Sequence, residues 1–125
     1  MNLEQEQIKL IKIIRIPITD IKFSAGYCNL YNENHMIGVL PTFEIKGILH
    51  YDTNEDSLSK LDWKNIYLDN RDLLTEKIKD SLDIKEIKVT IGTFRRLYVR
   101  DFKDNLIGAF ECIYENDSWR VDKEE

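Results

Sequence analysis

Arg96, Tyr98 and Arg100 alternate with Leu97 and Val99, a spacing that puts two guanidinium groups and an aromatic ring on one face of a strand. With Arg95 beside them, such a face can hold phosphate or carboxylate groups bidentately and offer the ring as a stacking platform. Residues 88–103 hold five cations and one anion, so this stretch is the basic part of an acidic chain. The plainer reading is a solvated sheet face whose arginines pair with Glu111 or Glu115 across a hairpin.

His50 and Asp52 form a second constellation, two residues apart on an expected strand with Glu44 and Lys46 further along. An imidazole beside a carboxylate can act as a base, or supply two metal ligands that need a third. Cys28 would add a nucleophile only where a histidine and a cationic setting lowered its pKa, and nothing near it in sequence supplies them. His35, the other imidazole, falls in a polar turn. No Gly-rich phosphate loop, paired zinc ligands, helix-turn-helix pattern or long heptad run appears. The expectation is therefore no catalytic residue, no metal and no cofactor.

The third constellation is acidic and aromatic. Residues 52–86 hold ten anions against six cations, and Trp63 and Tyr67 lie among them. Amphipathic rings anchor protein interfaces because they offer large area with few rotatable bonds, and carboxylates around them steer a basic partner. Asp56, Asp62, Trp63, Tyr67, Asp69 and Asp72 are the expected partner-binding residues. The same rings also serve as ordinary filling of a β-rich core.

These groups need a scaffold, and the composition allows one. The chain has 125 residues, 42% hydrophobic, with a formal net charge of −5, which suits one domain over residues 1–125 with its own core. The acidic balance argues against non-specific nucleic-acid binding, and no direct sequence-specific binding is expected either. The polar, acidic start lacks the basic and apolar segments of a secretory signal, and no stretch is apolar enough to cross a bilayer, so a cytoplasmic location is expected. Cys28 and Cys112 read as two reduced, buried thiols.

Along the chain, five isoleucines within residues 8–16 favour a strand, preceded by a helical turn at residues 3–7, although Lys9, Lys12 and Arg15 recur at helical spacing. Alternation predicts one strand from Ile21 to Cys28. A second is expected after Pro41, with Phe43, Ile45, Gly47, Leu49 and Tyr51 on its inward side; the two would pair around a turn at Asn32 to His35. Residues 58–68 read as a short helix or an irregular segment. Leu74, Ile78 and Leu82 mark the one main helix, capped by Asp69 or Asn70. A long strand bent at Gly92 follows, then a turn at 103–105, a strand at 106–114, a turn at 115–118 and a closing strand at 119–121. Residues 122–125 read as a frayed end.

The expected fold is α+β: a twisted antiparallel sheet of five to six strands with one helix on one face, in the order strands, helix, strands. The expected function is a non-catalytic protein-binding module that inhibits or neutralises a basic partner by occluding its surface. In size, acidity and lack of a catalytic motif the chain looks like immunity proteins and phage inhibitors. One alternative is a nucleotide-phosphate binder using Arg95, Arg96, Tyr98 and Arg100; another is a small hydrolase using His50 and Asp52.

Overall fold

The helical spacing of the first cations decides against the strand expected there. In the computed structural model, which describes residues 3–124, α1 spans Leu3–Ile14. Leu10 and Ile14, four residues apart, are fully buried, and Lys9 and Lys12 face water. Glu4 and Glu6 lie in the first turn and Lys12 in the last, each complementing the helix dipole. Arg15, at φ 62°, ends the helix, and Ile16 and Ile18 then enter the core from the irregular connection that follows it. The isoleucines were misleading because packing of one stripe outweighs β-propensity.

The described residues form an α+β protein with four helices and two four-stranded antiparallel sheets, where one sheet of five to six strands and one main helix were expected. They divide into two compact units, Met1–Asp62 and Trp63–Glu125. Each unit is a helical segment followed by a four-stranded meander, and the first closes with a short extra helix.

In the first unit β1 (Asp20–Ser24), β2 (Tyr27–Asn32), β3 (His35–Ile45) and β4 (Ile48–Tyr51) lie side by side in chain order. The expected strand from Ile21 to Cys28 is two strands joined at Ala25-Gly26, with Gly26 at φ 78°. The second expected strand likewise folds back at Lys46-Gly47, at φ 52° and 78°, as a type I′ hairpin requires. A two-residue turn continues a period-two pattern without a break, so alternation alone cannot reveal it. The turn at Glu33-Asn34 falls where expected. Helix α1 lies against β1. Ile21, Cys28, Leu30 and Leu40 face it as the core, with exposures from 0 to 3%.

After β4, α2 (Glu55–Ser59) starts at Asn54, whose Oδ1 accepts from the Ser57 N–H at 2.8 Å. The chain then passes over β3. The Asp62 N–H donates to the Ile37 carbonyl at 2.7 Å, and Leu61 lies against Gly38 so closely that a Cβ there would meet Leu61 Cδ2 at 2.8 Å.

The second unit begins with α3 (Trp63–Asp69), in the segment expected to be a short helix or irregular. Next comes α4 (Arg71–Leu82), the main helix expected from the leucine and isoleucine spacing. Strands β5 (Lys88–Ile91), β6 (Arg96–Arg100), β7 (Leu106–Glu115) and β8 (Ser118–Lys123) form its sheet in that order. Gly92 proves to be part of a chain reversal between β5 and β6, not a bend in one strand: its N–H donates to the Arg96 carbonyl at 2.8 Å. Leu97, Val99, Phe110 and Cys112 share one fully buried face, and α4 contributes the equally buried Leu74 and Ile78. Residues 122 and 123, expected to fray, belong to β8; Glu125 lies outside the described residues.

Asn116 and Asp117 turn β7 into β8 with φ of 52° and 60°. Asparagine tolerates this region, but aspartate adopts it at a cost that glycine avoids. Asp117→Gly should stabilise the fold by about 0.5–1 kcal/mol, read as a higher urea midpoint. An unchanged or lower midpoint would show that the turn carries no such strain.

Candidate protein-docking face

Between Ile37 and Pro41 strand β3 is apolar on both sides, the pattern of a strand covered on two faces. Beyond Pro41 the inward positions turn polar at Thr42 and Glu44, and the outward ones stay apolar. Leu40 points to the α1 side and is fully buried. Val39, Pro41, Phe43 and Ile45 alternate with it and line the opposite, outer face. Register places Tyr27 opposite Pro41, Asn29 opposite Val39, Tyr31 opposite Met36, His50 opposite Phe43 and Ile48 opposite Ile45. Six of these side chains are substantially exposed: Tyr27 49%, Met36 49%, Val39 40%, Phe43 47%, Ile45 52% and Ile48 62%. Ring packing stiffens the face, since His50 stacks on Phe43 with centroids 5.4 Å apart and planes 14° apart. Lys22 lies over Tyr31, its Nζ 4.9 Å from the ring centroid.

Alternation alone does not show this face, because it puts Phe43 and Ile45 on the inward side with Leu49 and Tyr51. The Lys46-Gly47 turn reverses that phase. Glu44 pairs with Leu49 and Thr42 with Tyr51, which leaves Phe43 and Ile45 outside with Ile48 and His50. The Ala25-Gly26 turn does the same for Tyr27, which faces away from Phe23. The available signal was the pair of glycines, each in a hairpin position.

The expected partner-binding residues are placed differently. Trp63 and Tyr67 are 4% and 2% exposed, so their rings are core and present no surface to a partner. Trp63 packs against Trp119 with centroids 6.1 Å apart. Burial raises the Tyr67 phenol above its ordinary pKa. Asp56 and Asp62 belong to the first unit and Asp69 and Asp72 to the second. Asp56 pairs with Lys60 at 3.2 Å along α2, and Asp62 Oδ2 lies 2.7 Å from His35 Nε2. Asp69 and Asp72 flank a shallow depression with Asn70 and Arg71.

The arginines are engaged with carboxylates and backbone oxygens. Arg95 reaches Glu111 at 3.2 Å and its guanidinium lies over the Phe94 ring, while Arg96 Nε meets Glu124 at 2.9 Å. Hydrogen bonding to Glu124 holds the Arg96 guanidinium still more firmly protonated. Arg100 Nη1 donates to the Asp104 carbonyl at 3.3 Å. The Tyr98 ring stands over Gly92, where a Cβ would come within 2.5 Å of it. The outer face of the second sheet is thus laced by ion pairs, and Arg120 adds pairs with Glu115 and Asp122. Among the described residues, no ion pair laces the outer face of the first sheet in this way.

The acid–base groups diverge. His50 points to the outer face of the first sheet and Cys28 to the core face, so imidazole and thiol lie on opposite sides of it. Asp52 lies beyond β4 and accepts from the Asn54 N–H at 3.2 Å. Among the described residues, no group of three or more His, Cys, Asp or Glu side chains is placed to hold a metal ion.

Both thiols are fully buried. Burial pushes Cys28 up to about 11 and Cys112 up to about 12, with Glu6 and Glu111 adding smaller repulsions. Tyr51 is raised as well, by burial and by the hydrogen bond its hydroxyl donates to Glu6. The folded state therefore keeps protons that the unfolded chain releases above the ordinary thiol value of 9.0. The stability these thiols contribute is full below that pH and is lost as pH rises toward 11–12. Urea midpoints should fall between about pH 8 and about pH 10.5, and fall less in a Cys28→Ala, Cys112→Ala double variant. Equal declines in the two proteins would assign the alkaline loss elsewhere.

Comparisons with protein-family models, curated proteins and solved structures find no match. No described helix is long and apolar enough to cross a membrane.

Proposed function

We propose that this chain is a non-catalytic protein-binding module that acts by covering the surface of the protein it docks to. One observation carries the reading: an apolar strip along β3 from Met36 to Ile45, widened by Tyr27 and Ile48, lies exposed on the first sheet. Monomeric soluble proteins rarely leave a contiguous apolar patch of more than a few hundred Å² in water, and larger ones mark interaction sites. The centre of the docking surface is therefore the strip through Val39, Phe43 and Ile45, not the buried Trp63 and Tyr67. Occlusion needs only such a face, already rigid before contact, because preorganisation lowers the entropy lost on association.

The test is a photo-crosslinking amino acid in place of Phe43, with another in place of Thr90 on the second sheet as control, activated in cells that make the protein. A discrete protein adduct from position 43 and none from position 90 is the expected result. Equal, diffuse labelling at both positions would remove the reading.

A further inference from the structure

The outer face of the first sheet has a composition that narrows its occupant. From β2 through β4 it holds Tyr27, Asn29, Tyr31, Met36, Val39, Pro41, Phe43, Ile45, Ile48 and His50, with no Asp, Glu, Lys or Arg among them. The charges on that side are on β1, where Asp20 accepts from its neighbouring Ile21 N–H and Lys22 is held over Tyr31. A chain of net charge −5 repels its own copies through most of its surface. This face is the exception: two copies can meet here without setting like charges against each other. It also offers a partner of strong charge nothing to recognise.

Area points the same way. The six exposed side chains are each about half exposed; a full aromatic side chain carries roughly 150–250 Å² and a full Val, Ile or Met side chain roughly 100–130 Å². Together they present roughly 450 Å² per copy, so a two-fold pairing buries roughly 900 Å² of them. The partly exposed Asn29, Tyr31, Pro41 and His50 on the same face carry it past the roughly 1,000 Å² that a specific interface needs. Sheets pack face to face about 10 Å apart with strands nearly aligned, an arrangement that an uncharged antiparallel face satisfies with a copy of itself. The contrast within the chain is direct, since the corresponding face of the second sheet is covered by its own ion pairs.

We infer that the occupant of this face is a second copy of the same chain: the protein is a two-fold dimer whose first sheets stack outer face to outer face, with Val39, Pro41 and Phe43 at the centre. The inference rests on the proposed docking role of the face and names the protein that docks there.

Sedimentation velocity of the full chain over a hundredfold concentration range tests it. A species of twice the 14.9 kDa chain mass is expected, dissociating on dilution. Phe43→Asp, at the centre of the contact, should weaken the dimer roughly thirtyfold or more. Ile48→Asp, at a hairpin end and 62% exposed, should weaken it in the same direction with the monomer's circular dichroism unchanged. Glu124→Lys on the second sheet should leave the dimer intact. A monomer at every concentration overturns the inference, as does a dimer that both aspartate variants leave undiminished. The crosslink from position 43 separates the two readings. An adduct of a different protein keeps the docking face and sinks the second copy, whereas absence of any specific adduct sinks both.

Discussion

Phe110→Ala is expected to lower the unfolding free energy by about 3–5 kcal/mol, measured by urea titration. Phe110 is fully buried on β7, opposite Leu97 on β6 and sharing its face with Val99 and Cys112. Removing the ring deletes its transfer free energy and leaves a void. The walls of that void are strands held in register on both sides of β7, so they cannot close in. A protein of this size has roughly 5–15 kcal/mol to lose, which makes the substitution a threat to folding itself. Phe102→Ala is the matched control: the same deletion at a site 59% exposed should change stability by no more than about 0.5 kcal/mol. A loss under about 1 kcal/mol at Phe110 would mean that the face described as core is loosely packed.

The second large effect is expected at Gly38. A Cβ there would approach Leu61 Cδ2 to 2.8 Å and Leu61 Cα to 3.6 Å, so the space beside this strand position belongs to the chain returning over it. Leu61 is 5% exposed and is followed at once by Asp62, which is tied to Ile37 by its N–H and to His35 by its carboxylate. It has little room to retreat. Gly38→Val should cost about 2–3 kcal/mol and displace the segment through Leu61 and Asp62, so that the His35 and Asp62 resonances shift together. A tolerated valine, with those resonances unmoved, would show that this crossing is adjustable.

Much of this architecture was legible in the sequence, and the failures share one physical origin. Helix α4 followed from Leu74 and Ile78 four residues apart, and strands β7 and β8 with their turn followed from alternation interrupted by Asn116-Asp117. Where a reversal takes only two residues, as at Ala25-Gly26 and Lys46-Gly47, hydrophobic alternation runs through it unbroken. One expected strand then becomes two and the inward and outward sides exchange. That error hid the outer face, because the side on which Phe43, Ile45 and Tyr27 fall depends on where the chain turns. The α1 error differs in kind: branched residues suit strands locally, but burial of Leu10 and Ile14 on one stripe is decided by contacts distant in sequence. Pairing of Glu111 with an arginine was anticipated, but the arginine is Arg95 and not Arg96 or Arg100; Glu115 pairs with Arg120 instead, and Glu124 was not foreseen because β8 was expected to stop short of it.

The two sulfur atoms have a practical consequence. Cys28 belongs to the first unit and Cys112 to the second, and both are wholly shielded from solvent. An alkylating reagent added to native protein can mark a thiol only after its own half has opened, and each mark adds a fixed increment to the molecular mass. A time course by intact-mass spectrometry therefore counts unmarked, singly marked and doubly marked molecules. Fragmentation then says which half opened first, with no probe added to the chain.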